Sequence, residues 1–72
     1  MLSLLFLASL LSGVIDVHVH CAPDSVPRAI DAIDLAKLAK ARGVRGLVLK
    51  SHWEPTASMA YLVRKEVPDI EV

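Results

Sequence analysis

Most of the reactive chemistry open to this chain rests on three histidines: His18 and His20, two apart at the end of an apolar run, and His52 further along. Residues two apart on a β-strand share a face, with Cα atoms about 6.5–7 Å apart, so two imidazoles can converge on one ion at metal–nitrogen distances of about 2.0–2.1 Å. His18 and His20 thus make a bidentate clamp. Asp16 falls on the same face one step deeper, where it would orient an imidazole or fill the inside of a barrel. Lys50 closes a second apolar run and His52 opens the loop after it, which gives His18, His20 and His52 as candidate metal ligands. Lys50 and Arg28 are the candidates for binding an anionic substrate group, because a protonated ammonium or guanidinium has donors but no lone pair for a cation. Each has a plainer alternative. An H-x-H pair also arises by chance, Lys50 also reads as a snorkelling surface lysine, His52 as a loop-surface histidine and Arg28 as a solvated arginine. Trp53 reads as a packing residue and Cys21 as a small buried filler beside the site.

The elements that must hold these groups follow from periodicity. Val14 to His20 is rich in β-branched residues and alternates with polar ones, the pattern of a strand with chemistry on one side. Cys21 to Arg28 holds two prolines and an Asp-Ser pair, which are loop signals. Asp31 followed by Asp34 resembles a helix cap, and Ile33, Leu35, Ala36, Leu38 and Ala39 give an apolar face, so a helix is expected from Ala32 to Arg42 with Gly43 just past its end. Val44 to Lys50 suits a strand buried on both faces. Thr56 is expected to cap a second helix running to Glu66, with Met59, Leu62 and Val63 inward. Pro68 and Asp69 end it, and Ile70 to Val72 opens a third strand. The order β-α-β-α-β implies an α/β fold with parallel strands, whose reactive groups collect at the C-terminal strand ends.

Composition narrows the function classes. Eight basic residues balance eight acidic ones, so no global field favours nucleic acid or an acidic membrane surface. The single cysteine excludes an intrachain disulfide framework and a cysteine-rich zinc site. Hydrophobic residues make up 54% of the chain and aromatic residues 4%, a balance that suits buried parallel strands. At 72 residues the chain is half the usual domain size and reads like the inside of something larger. Residues 1–12 form an apolar lead, either a leader helix or a secretory signal with Leu4 to Leu11 as its h-region; no Lys or Arg follows Met1, and the run is too short to span a membrane. A cytoplasmic location is the expectation, with secretion the alternative if the lead acts as a signal.

The strand G-V-I-D-V-H-V-H (Gly13 to His20), the Pro-Asp loop, the helix, then G-V-R-G-L-V-L-K-S-H (Gly43 to His52) and E-P-T together resemble the N-terminal part of amidohydrolase-superfamily metal-dependent hydrolases. The resemblance covers residues 13–72. It implies a TIM-like (β/α)8 barrel, one or two divalent ions, zinc foremost, and a metal-activated water attacking an amide, ester or related bond of a small-molecule substrate. His18 and His20 would take the first-strand ligand role. The ligands and acid–base aspartate that such enzymes draw from later strands have no matching positions here, so the resemblance implies that the chain is an N-terminal fragment of such a barrel, inactive by itself. A PHP-type phosphoesterase is the alternative hydrolase, since it also begins with H-x-H and has a histidine after its second strand, although Ser51 stands where an aspartate is usual. A non-catalytic remnant that packs against a partner is the alternative from another class, and the full-length form would be open to homo-oligomerisation.

Overall fold

The computed structural model of the chain describes residues 10–72, so most of the expected leader or signal segment lies outside the described residues. Strand β1 (Ile15–Val19) is followed by helix α1 (Ala32–Ala41), strand β2 (Gly46–Leu49) and helix α2 (Ala57–Glu66). Helix α2 has its expected span, α1 ends one residue early, and β1 and β2 are two and three residues shorter than their patterns in the sequence, as fraying ends and pairing limits dictate. The strands run parallel, with Ile15 opposite Gly46, Asp16 opposite Leu47 and Val19 opposite Leu49. The expected third strand is present as a single parallel bridge between Glu71 and Gly46 on the far side of β2, made by Leu47 N–H to Glu71 C=O at 2.8 Å and Glu71 N–H to Arg45 C=O at 3.0 Å.

Local chemistry fixes the helix ends. The Asp31 carboxylate accepts the Asp34 N–H at 2.8 Å and so satisfies one of the orphan donors of the first turn of α1. Gly43 takes φ +81°, the left-handed geometry that closes a helix and that a Cβ would oppose. Thr56 precedes α2 as expected, but its hydroxyl does not cap: it donates to the Leu49 carbonyl at 2.9 Å and ties the helix start to the C-terminal end of β2.

Helix α1 lies on one sheet face, and α2 packs chiefly against α1 over the same core. Small residues on α1 (Ala32, Ala36, Ala39) let it approach Leu47 and Leu49 closely, and Val63, Val67 and Ile70 complete the core. Leu62, expected inward, is exposed, because Val63 and Met59 already fill the contact with α1. The opposite sheet face carries Ile15, Val17 and Val48 in the open.

The step from Asp16 to Val19 in β1 takes three residues where its partner takes two, which marks a β-bulge. The bulge overturns one expectation. Asp16 pairs with Leu47 and lines the helix-side groove with Val14, Val19 and Leu35, so it does not share a face with the histidines. Its carboxylate accepts the His18 backbone N–H at 3.1 Å, and among the described residues it makes no hydrogen bond to an imidazole ring.

Candidate metal centre

Because β1 and β2 are parallel, their C-terminal ends lie at one edge of the sheet, and the two loops that follow meet there. His18 and His20 come from the end of β1, and Lys50 and His52 from the end of β2 and its loop. The edge is pinned by the Lys50 N–H donating to the Val19 carbonyl at 2.8 Å.

The three imidazoles form one cluster. His18 Nε2 and His20 Nε2 are 3.2 Å apart, with ring centroids separated by 5.2 Å and planes tilted by 49°. His52 stacks on the other ring, its centroid 4.9 Å from that of His20 and the planes 18° from parallel. The stacked contact joins the two loops through ring faces. Among the described residues no group of three His, Cys, Asp or Glu side chains is arranged to enclose an ion.

The pair at 3.2 Å has two chemical solutions. One nitrogen can carry a proton and donate to the other, or both can present lone pairs to a shared cation. Two nitrogens bound at about 2.0–2.1 Å to one tetrahedral ion stand about 3.3 Å apart, so the observed separation fits the second solution with little movement. His20 is half-buried, and burial, the Arg28 charge and the imidazoles of His52 and His18 hold it below the ordinary imidazole range against the opposing pull of Asp24. A neutral ring is the form that ligates a metal. The Nδ1 atom of His20 is buried without a hydrogen-bond partner: a metal-free neutral ring leaves it bare with the proton on Nε2, whereas ligation through Nε2 would put the proton on Nδ1, where the present packing offers it no acceptor.

The loop after β1 supplies charge. Asp24, its side chain only 4% exposed, accepts the Arg28 Nε–H at 2.9 Å through Oδ2, while its Oδ1 accepts the Ser25 N–H at 2.6 Å. Those contacts, the Arg28 bond foremost, hold the Asp24 carboxyl below the usual carboxylate range. No pattern in the sequence marks this pair, since the residues lie four apart in a proline-containing loop rather than on a helix. Lys50 is exposed, and Trp53, expected to pack, is 77% exposed at the tip of the second loop. Cys21 is a buried filler as expected; burial first, then Asp31 and Asp24, pushes its thiol up.

Comparison with curated proteins and with solved structures gives no match to the chain. A family model does match, over residues 13–72, and its span takes in both strands, both helices and the whole histidine cluster. The chain therefore belongs to the family of unknown function DUF6282.

Proposed function

We propose that residues 13–72 form the first β-α-β-α unit of a metal-dependent hydrolase barrel of the amidohydrolase type, with His18 and His20 as the first-strand ligands of a divalent ion, zinc foremost. The observation that carries this reading is the 3.2 Å separation of two Nε2 atoms at the C-terminal edge of a parallel sheet. Parallel β/α architectures gather reactive groups at that edge. The open apolar face of Ile15, Val17 and Val48 supports the barrel reading, since parallel sheets are covered on both sides. An ion held there would supply Lewis acidity towards a carbonyl or phosphoryl oxygen and would lower the pKa of a bound water. The chain's own part is to keep His20 neutral, to hold the two imidazoles together and to set Lys50 and Arg28 around them as cations for a substrate.

His52 is the candidate third ligand and reaches the cluster by its ring face, so ligation by it needs a rotation of that ring. The same histidine favours the phosphoesterase as second reading, because a histidine from the second strand's loop meets the H-x-H pair. Hydrolysis of a phosphomonoester panel against an amide and ester panel separates the two chemistries.

Calorimetric titration of zinc into the protein and into its His18→Ala, His20→Ala, His52→Ala and Lys50→Ala variants tests the ligand assignment. His18→Ala and His20→Ala should each weaken zinc by about a hundredfold, and Lys50→Ala should leave it nearly unchanged. Unaltered affinity in the first two would overturn the reading.

A further inference from the structure

The Asp24–Arg28 pair is built for more than tethering a loop. A guanidinium offers five N–H donors on a planar fork, and Asp24 takes only the one on Nε. The carboxylate is itself committed: Oδ2 to Arg28, and Oδ1 to the Ser25 N–H at 2.6 Å and the Ser25 hydroxyl at 3.3 Å. With Asp24 nearly buried and Arg28 about a quarter exposed, the pair is anchored at its acidic end and open at its basic end. No hydrogen bond or ion pair of the described residues engages Nη1 or Nη2, and neither atom is sealed from solvent. Two parallel donors on a fixed plane match the two oxygens of a carboxylate or a phosphate. Asp24 lines one groove with Ser51 and Trp53, the residues on either side of His52, so the Asp24–Arg28 pair lies by the loop that carries the third imidazole.

We propose that Arg28, positioned by Asp24, binds an oxyanion group of the substrate through Nη1 and Nη2 beside the His18–His20 pair. The substrate is thereby a small molecule bearing a carboxylate or a phosphate. This rests on the histidine cluster being the reaction centre. Arg28 is the binding residue and Asp24 the positioning residue; Lys50, from the neighbouring strand end, adds a second cation without a defined plane.

The experiment is a titration of the protein, free of added metal, with inorganic phosphate in one arm and sodium acetate in the other, read in every variant by the backbone amide shifts of the Asp24–Arg28 loop and, where Arg28 is present, also by its side-chain ¹⁵N resonances. Binding should shift the Nη signals, and the arm that binds more tightly names the oxyanion. Arg28→Gln should weaken binding by about tenfold or more, and Arg28→Lys should fail to restore it, because a point charge lacks the two-donor fork. Asp24→Asn separates positioning from simple electrostatics. Removing a nearby negative charge would strengthen anion binding if only the field mattered, whereas loss of the anchor weakens it. Amide spectra of each variant report whether the loop keeps its fold, and Arg28→Gln leaves Asp24 in place as a second check. Weaker binding in Asp24→Asn and Arg28→Gln supports the proposal. Absence of binding in both arms, binding indifferent to Arg28→Gln, or tighter binding in Asp24→Asn overturns it. Zinc titration of His18→Ala reports separately on the metal reading, so either can fail without the other.

Discussion

At the scale of single residues, side chains at the sheet edge are held in particular protonation states by their neighbours. Asp24 illustrates the consequence for stability. Its carboxyl titrates below the usual range in the folded chain, so between that lowered value and the ordinary one, about 3.9, the unfolded chain takes up the proton more readily. Its contribution is therefore complete above the ordinary carboxylate value and is lost as the pH falls through the lowered one. Urea unfolding followed from neutral to acid pH should show a shallower acid decline in Asp24→Asn than in the parent; equal declines would count against the Arg28 pairing. Cys21, buried with its thiol pushed up, should react with a disulfide reagent at neutral pH much more slowly than a free cysteine does, and rapid labelling would contradict that packing. The histidine pair was legible because its spacing and strand context need no tertiary information. Asp24 with Arg28 was not legible, since no periodicity links residues across a proline-containing loop, and Trp53 was misread because aromatic bulk predicts burial only where some element is there to cover it.

At the scale of elements, the strands and helices were readable nearly to their ends because β-branched runs, an Asp cap and a glycine just past the helix are local signals. Pairing is not local. The bulge between Asp16 and Val19 arises only against Leu47 and Leu49, and it removes Asp16 from the histidine face that strict alternation had assigned it. The Thr56 hydroxyl likewise answers a carbonyl seven residues back instead of its own helix. Two substitutions test these devices. Asp31→Ala should cost about 1 kcal/mol through loss of the α1 cap, measured by denaturant unfolding. Gly46→Ala should loosen the Glu71 bridge, because an added Cβ would lie 3.0 Å from Glu71 Cβ and 3.2 Å from its carbonyl oxygen. Faster amide exchange at Leu47 and Glu71 is the expected sign, and unchanged protection would show that the segment accommodates a methyl group.

At the scale of the whole molecule, the described helices lie over one face of the sheet, and on the other Val17 is 67% exposed beside Ile15 and Val48. An apolar face of this kind should bind ANS when the chain stands alone, and Val17→Lys combined with Val48→Lys should abolish most of that fluorescence; a chain that binds no dye would mean the face is already covered. The same parallel order brings the ends of β1 and β2 to one edge and makes a shared site at all. That site rests on two imidazoles acting together on one ion. The most direct test follows the ring nitrogens of the histidines by long-range ¹H–¹⁵N correlation while zinc is added. The account predicts that Nε2 of both His18 and His20 moves to the shift of a metal-bound nitrogen at the same zinc concentration, whereas separate titration of the two rings, binding through Nδ1, or no shift in either would contradict it.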